Sequence, residues 1–369
     1  MRKTGMYNAI ILDELALHGG ARRVMVLNGS EIRTRNGEMT LENALRNKVM
    51  GCLVGGLIGD AMGAPVEGWH YKRIEETHGW LKDFDGEGTD DSAIKAILCE
   101  AIIASHGHAR ADEFAESFLR NKDRYGHLFF IPVQNMLHKV LDKLSLPVHA
   151  GWGNMQSSSS AMAISPMGII NACNPRMAAL QTFDVAGLIH AGDSGFCRDG
   201  ACAMAAAVAA ALDPRATVDT VVDASTAYLH QTSGAEMIGM IRRAIGWAKQ
   251  AGEYAAFRDL HYQHALRPVQ CDSRETVPAA LALFWLAGGD ATKTIETAAN
   301  FGRDADTIAT MAGALAGAFS GLDSPRTEWR DKLHKTGMLD KQHALADQLI
   351  TICRTKAQEQ ASFLHAYPV

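Results

Sequence analysis

The sequence lacks the features that mark several large classes of protein. It contains no C-x-x-C pair, and its 7 cysteines are scattered over 369 residues, which argues against a disulfide framework or a structural zinc site. It has no basic run interleaved with aromatic residues, and its net charge of −5 is slight, so a nucleic-acid partner is not expected. The scattered thiols favour a reducing compartment.

Long apolar runs are also scarce. The longest that we identify, Val277–Ala287 and the alanine-rich Ala201–Leu212, are too short to cross a bilayer, so no membrane span is predicted. Asp13 and Glu14 interrupt the apolar residues near the start, which argues against a secretion signal. Because 47% of the residues are hydrophobic, the chain can bury a sizeable core. These features predict a soluble, cytoplasmic protein.

The first 45 residues differ from the rest of the chain. Residues 24–27 and 30–34 are rich in β-formers and flank Asn28-Gly29, which predicts a short β-hairpin with a tight turn. We therefore divide the chain into an N-terminal extension, 1–45, and a main domain, 46–369. The extension is a candidate for capping the main domain or for forming a homo-oligomer surface; a partly ordered tail is the alternative.

Helical periodicity dominates from residue 46 onward. Apolar residues recur every three or four positions at 94–102 and again at 308–319, as on one face of an α-helix. Residues 201–212, 216–230, 234–250 and 276–287 are further helix candidates, the last with Pro278 placed in its first turn. No run of alternating strands follows. The pattern predicts a compact all-α domain.

Glycine recurs at every fourth position in one of these helices. The spacing matches neither a dinucleotide-binding nor a Walker A loop, so it does not indicate a phosphate site. It instead places the glycines along one ridge, where a neighbouring helix backbone can approach closely. A helical stretch near the end of the chain has two glycines at the same spacing, which predicts that the two helices form a buried pair. The glycines are Gly51, Gly55, Gly59 and Gly63 at the front, and Gly313 and Gly317 at the back.

Two dense acidic clusters stand directly before helical stretches. The front cluster is Gly-Thr-Asp-Asp at 88–91, and the back cluster is Arg-Asp-Ala-Asp-Thr at 303–307. Each cluster alone is explained well as a helix cap, because a threonine or acid at a helix start binds free N–H groups and suits the helix dipole. Together they offer four carboxylates and two hydroxyls, a ligand set suited to Mg²⁺ or Mn²⁺. Both interpretations stay open on these residues alone.

Three motifs in this order resemble the ADP-ribosylglycohydrolase family, of the dinitrogenase-reductase-activating glycohydrolase type. They are Gly-Asp-Ala-Met-Gly-Ala-Pro-Val-Glu at 59–67, Gly-Thr-Asp-Asp-Ser at 88–92 and Gly-Arg-Asp-Ala-Asp-Thr-Ile-Ala at 302–309. The resemblance covers about 46–325 and implies an orthogonal all-α domain with two Mg²⁺ or Mn²⁺ ions. It further implies that Glu67 contacts the ribose or the scissile bond from a mobile loop. The implied metal ligands are Thr89, Asp90, Asp91, Asp304, Asp306 and Thr307.

Two segments depart from the family pattern. Arg303 stands where the family often has glycine, and it either binds a phosphate or carboxylate of the substrate or pairs with an acid behind the site. Ser158, Ser159 and Ser160 replace a family segment that contacts ligand, and their hydroxyls are candidates for binding a phosphate or ribose. A plain loop before a helix is the alternative for the serines.

The segment that follows the serines adds two further candidates. A lone histidine after an apolar run is more often a core residue, but His190 matches a family histidine that lies near bound ligand, so both interpretations stay open. Asp193 is a candidate for substrate binding or for supporting another side chain. Both are assigned to the substrate side of the predicted site.

These residues predict a metal-dependent hydrolase that cleaves a ribosyl linkage at the anomeric carbon. The first hypothesis is release of ADP-ribose from a modified protein or small acceptor. The second is an N-ribosyl hydrolase of a nucleoside-like metabolite, motivated by the altered serines and Arg303. The third is a non-catalytic binding protein on the same fold, against which the complete ligand set argues. Asp90 or Asp91 would take the proton of the attacking water, and Glu67 would assist the leaving group.

Overall fold

The computed structural model describes the backbone of residues 25–27, 31–34, 37–86 and 88–366, and the side chains of 43–86 and 88–361. Three short strands, β1 (Met25–Leu27), β2 (Glu31–Thr34) and β3 (Gly37–Thr40), form an antiparallel sheet in the order β1-β2-β3. The first pair agrees with the predicted hairpin, whose Asn-Gly turn lies outside the described residues. The third strand was not predicted, because its Gly-Glu-Met-Thr sequence has no apolar alternation.

The rest of the described chain is helical, which confirms the predicted all-α domain. The first helix begins at Leu41, a few residues before the predicted domain boundary. The helices are α1 Leu41–Gly63, α2 Tyr71–His78, α3 Asp90–Ala104, α4 Ala111–Tyr125, α5 Ile131–Leu141, α6 Pro147–Ala150, α7 Ser165–Ile169, α8 Pro175–Gly187, α9 Gly195–Ala211, α10 Val218–Ala227, α11 Ala235–Ala251, α12 Tyr254–His264, α13 Ser273–Leu286, α14 Ala291–Ala299, α15 Ala305–Ser320, α16 Thr327–Lys335 and α17 Met338–Ala366.

Helices α1 and α15 pack backbone against backbone at the centre of the molecule. A methyl group added at Gly55 would collide with the Gly313 carbonyl oxygen, and one added at Gly51 would collide with that of Gly317. The predicted glycine ridge and its predicted partner therefore meet, and the buried helix pair is confirmed. The close approach also brings the C-terminal end of α1 to the N-terminal end of α15, because Gly63 lies against Asp306.

The longest apolar stretch is in α1. Among the described residues, Asn43–Val66 alone is long and apolar enough to cross a membrane by length and composition, with a hydropathy of 1.5. Of the 18-residue window with this mean hydropathy, 89% is buried inside the fold, as in the core helix of a globular domain. The sequence analysis predicted this segment as a buried helix but did not count it among the long apolar runs, because Asp60 interrupts it.

The other predicted helices are present with shifted ends. Helix α9 stops before Asp213-Pro214 as predicted, whereas α13 begins at Ser273, so Pro278 lies inside the helix and not in its first turn. The seven cysteines are free thiols, which agrees with the predicted absence of disulfides.

Candidate functional site

The front acidic cluster forms the start of α3. Thr89 is the N-cap, and its Oγ1 accepts a hydrogen bond from the Asp91 backbone N–H at 3.3 Å. Asp90 and Asp91 occupy the first turn, and the Asp91 side chain is buried. Capping and site formation are thus the same arrangement and not alternatives, because the cap turns the acidic side chains inward.

Asp60 of α1 completes this cluster and was overlooked in the sequence. Its buried carboxylate accepts the Thr89 backbone N–H at 2.9 Å, the Thr89 hydroxyl at 2.9 Å and the Ser92 backbone N–H at 3.0 Å. The available signal was an acid within the glycine-rich apolar stretch at 51–63. A charge in an apolar helix must find a partner when it is buried, so Asp60 was a candidate on physical grounds.

The back acidic cluster forms the start of α15. Asp304 is the N-cap residue and Asp306 lies in the first turn, both with 3% of their surface exposed. The preceding residue, Arg303, has a positive φ of 62°, and its backbone exchanges two hydrogen bonds of 2.7 Å with Gly68 and Trp69. This exchange ties the loop that carries Glu67 to the start of α15.

The two clusters meet in space although 216 positions separate Asp91 from Thr307. Carboxylate oxygens of Asp60, Asp91 and Asp306 lie within 4.8 Å of one another, and so do those of Glu67, Asp304 and Asp306. Asp306 belongs to both groups, so the described residues contain two adjoining acidic positions that share one carboxylate. We call them the inner group (Asp60, Asp91, Asp306) and the outer group (Glu67, Asp304, Asp306).

Both threonine hydroxyls project into these groups. Thr89 Oγ1 lies 3.4 Å from an oxygen of Asp306, and Thr307 Oγ1 lies 3.3 Å from an oxygen of Asp91. Asp90 belongs to neither group among the described residues. The structure therefore brings together the predicted front and back ligands, with Asp90 beside them.

Burial and mutual repulsion shape the electrostatics of this site. Burial, and then the neighbouring carboxylates, hold the pKa of Asp91, Asp304 and Asp306 well above the ordinary range, and the same causes raise the pKa of Glu67. The pKa of Asp90 is raised to about 7 by burial and then by Asp60, against a hydrogen bond from the Phe130 backbone.

Hard divalent cations fit this set of donors. Asp91 Oδ1, Asp304 Oδ2 and Asp306 Oδ1 are buried oxygens that have no hydrogen-bond partner among the described residues. Leaving such oxygens without a partner costs free energy, and an added cation would remove both the unpaired oxygens and the repulsion between carboxylates. The acidic groups can therefore bind a metal, and oxygen-only ligands suit Mg²⁺ or Mn²⁺.

The three serines do not line an open surface. Ser158 Oγ donates to the Cys271 carbonyl at 2.7 Å, Ser159 Oγ accepts from Ser157 Oγ at 2.9 Å, and Ser160 Oγ lies 2.8 Å from His190 Nδ1. All three are buried, with 3% or less of their surface exposed. The structure gives these hydroxyls internal hydrogen bonds, and their contact with substrate phosphate or ribose stays a prediction.

His190 is a fully buried core residue between these serines. Its Nε2 lies 3.1 Å from Ser157 Oγ, and its Nδ1 faces Ser160 Oγ, so both ring nitrogens have partners. Burial lowers the pKa of His190 to about 3, so the ring is neutral at physiological pH. The ring of His190 thus holds the serine loop in place, and its contact with substrate stays a prediction.

The substrate contacts predicted for Arg303 and Asp193 also stay predictions. Arg303 forms two hydrogen bonds, at 2.8 and 3.0 Å, with the fully buried carboxylate of Glu275 and a third to the Arg267 carbonyl. Of the two roles predicted for Arg303, pairing with an acid behind the site is the one observed. Asp193 is exposed on a short 3₁₀ turn and belongs to neither acidic group.

Comparisons with known proteins identify the family of the chain. The ADP-ribosylglycohydrolase family model matches residues 41–359. The chain is 25% identical over 318 residues to the uncharacterized protein YegU of Escherichia coli (strain K12), covering 79% of this chain and 93% of the relative. It is 24% identical over 323 residues to the human ADP-ribosylhydrolase ARH3, covering 77% and 88%.

A solved structure supports the fold independently. The chain superposes with a TM-score of 0.64 on a structure described as an ADP-ribosylglycohydrolase-related protein complex, at 20% identity, covering 84% of this chain and 99% of that one. The family match spans most of the chain and includes every motif that forms the site. The chain therefore belongs to the ADP-ribosylglycohydrolase family and is a hydrolase that cleaves ribosyl bonds.

Proposed function

We propose that this hydrolase depends on two Mg²⁺ or Mn²⁺ ions and releases ADP-ribose from a modified protein or small acceptor. The observation that carries the metal proposal is the pair of acidic groups that share Asp306. The relatives named ADP-ribosylhydrolase support the substrate class.

The candidate ligands are the oxygens of the two helix starts. Asp306 would serve both ions, with Asp91 on the inner side and Asp304 on the outer side, each of which offers a buried oxygen without a partner. Thr89 and Thr307 would add hydroxyl oxygens, and Asp90 completes the ligand set that the family resemblance implies. Bound divalent cations supply Lewis-acid stabilisation and lower the pKa of a coordinated water.

The remaining acids have positions suited to proton transfer and substrate contact. Asp90 lies outside both acidic groups, so its carboxylate is the one that we assign as proton acceptor for the attacking water. Glu67 is exposed at the edge of the outer group, where it can contact the ribose or the leaving group. The backbone exchange at Gly68 and Arg303 holds Glu67 at this edge, so the loop is tethered in this structure.

The decisive experiment compares Asp306→Ala with Asp331→Asn, which alters an exposed acid on α16. Purified proteins are incubated with ADP-ribosylated protein and Mg²⁺ or Mn²⁺, and free ADP-ribose is measured. Loss of a shared ligand should lower kcat/KM by more than the roughly 10- to 100-fold that losing a supporting residue costs. Asp331→Asn should leave it unchanged. Full turnover by a folded Asp306→Ala protein, or by wild type in excess chelator, would refute the metal proposal.

A nucleoside-like substrate is the second candidate. Arg303 pairs with Glu275 and the serine hydroxyls form internal hydrogen bonds, which makes these side chains less available to a pyrophosphate. A panel of ribonucleosides tested beside the ADP-ribosylated protein separates the two. Ribose release without ADP-ribose release would favour the N-ribosyl hydrolase. Cytoplasmic location, the N-terminal extension as a separate unit and a homo-oligomer remain proposals from the sequence.

A further inference from the structure

The carboxylate of Asp60 covers the start of α3. Its Oδ1 accepts the backbone N–H and the hydroxyl of Thr89, both at 2.9 Å, and its Oδ2 accepts the N–H groups of Thr89 and Ser92, both at 3.0 Å. Four donor contacts converge on a side chain that is fully buried. Both of its oxygens therefore have protein partners, unlike the unpaired oxygens of Asp91 and Asp306.

The chain makes room for this contact at Gly88. That residue has a φ of +93°, and a Cβ built there would lie 2.5 Å from Asp60 Oδ2. A larger residue would either strain the backbone or push the carboxylate away from Thr89. The approach of Asp60 to the helix start is thus built into the backbone path before α3.

The hydroxyl of Thr89 can give its single proton to one acceptor. Three carboxylates are within reach: Asp60 at 2.9 Å, and Asp91 and Asp306 at 3.4 Å. Donation to Asp60, with one lone pair accepting the Asp91 backbone N–H at 3.3 Å, leaves the second lone pair of the oxygen for a cation. A hydroxyl can bind a cation only through such lone pairs, and a proton pointed at the cation would repel it.

We propose that Asp60 is a positioning residue that takes the hydroxyl proton of Thr89 and so makes Thr89 a metal ligand. It acts through Thr89, and not as a direct ligand, although one of its oxygens lies within 4.8 Å of oxygens of Asp91 and Asp306. The proposal rests on the metal-dependent function proposed above and assigns one supporting residue within it.

A double-mutant cycle tests the proposal with a readout other than activity. Mg²⁺ and Mn²⁺ dissociation constants are measured by titration calorimetry for wild type, Asp60→Asn, Thr89→Ala and the double variant. Loss of such a supporting contact should weaken binding by roughly 10- to 100-fold. If Asp60 acts through Thr89, the double variant binds no more weakly than Thr89→Ala, and Thr89→Ser retains near wild-type affinity. If the fold-losses in cation affinity of the two single variants multiply in the double variant, Asp60 acts independently of Thr89, as a direct ligand or through its charge. That result would overturn the proposal.

Two further arms keep the outcomes distinct. Wild type that binds neither cation refutes the proposed metal centre itself, whereas wild-type binding with independent effects refutes only the role of Asp60. If Asp60→Asn fails to fold, Gly88→Ala replaces it, because the added methyl displaces the Asp60 carboxylate while its charge is kept. Unchanged cation affinity in a folded Gly88→Ala protein would contradict the proposal. Asp331→Asn is the matched control and should bind the cations as wild type does.

Discussion

At the start of α3, a single side chain serves the helix and the site together. Thr89 caps α3 and, through the same oxygen, lies beside Asp306; Asp304 is the N-cap residue of α15 and belongs to the outer group. The sequence predicted these residues, because a dense acidic set before a helix has few other uses. It could not choose between a cap and a ligand, since both need an oxygen at the same place.

The substrate-side residues show what a local sequence pattern leaves undecided. Serine and histidine are small and polar, and they satisfy internal hydrogen bonds as readily as they bind a ligand. Which way Ser160 and His190 point depends on Cys197 and Ser157, which approach from other parts of the chain. No local pattern encodes that choice.

The ion pair of Arg303 with Glu275 provides a prediction at this scale. Glu275 is fully buried, so Arg303→Met leaves a charged carboxylate without its partner. We expect the free energy of unfolding to fall by about 3–5 kcal/mol. The control, Arg215→Met, removes an arginine whose pairing with Asp213 is at the surface and should change stability little. Urea denaturation measures the free energy of unfolding of both variants. Equal losses would show that the buried ion pair stabilises the fold no more than the surface pair does.

At the scale of elements, the site depends on the packing of α1 against α15. The glycine ridge permits backbone contact along the whole pair, and this contact places Asp60, near the end of α1, beside Asp306, at the start of α15. The period of four was readable in the sequence. The partner was predicted from Gly313 and Gly317, which repeat the same spacing.

Two glycine-to-alanine changes separate close packing from helix propensity. Gly55→Ala places a methyl group against the Gly313 carbonyl and should destabilise the protein by about 1–3 kcal/mol. Gly239 is exposed on α11, and a Cβ added there would meet no atom within 4 Å outside the backbone of its own helix. Gly239→Ala should therefore stabilise the protein by about 0.5–1 kcal/mol. Thermal unfolding measures the two shifts. Stabilisation by both changes would contradict the packing of α1 against α15.

At the scale of the whole molecule, the acidic centre should couple stability to pH and to divalent cations. The pKa of Asp91, Asp304 and Asp306 is raised in the fold, so the native state binds protons more tightly than the unfolded state. The stability that these carboxylates contribute to the metal-free protein is therefore fully present when the pH is below about 3.8, their pKa in the unfolded chain. It declines as the pH rises through the raised values, including the value of about 7 for Asp90.

Cations should reverse this trend. Mg²⁺ competes with protons for the same oxygens, so its stabilising effect should grow with pH. For one site, the effect should reach about 2.7 kcal/mol when the Mg²⁺ concentration is 100 times the dissociation constant. Scanning calorimetry at about pH 5 and about pH 8, with Mg²⁺ and with chelator, measures the difference. An equal Mg²⁺ effect at both pH values would place cation binding away from these carboxylates.

The sequence by itself determined the helical class, the glycine-ridged pair and the identity of the acids at the two helix starts, because these are carried by local periodicity and by short motifs. Only the tertiary structure decided that Asp60 joins Thr89, that the serines and His190 face the interior, and that Arg303 faces Glu275. The physical reason is the same for all three. A polar side chain takes the nearest partner that burial offers, and packing of distant segments decides which partner that is.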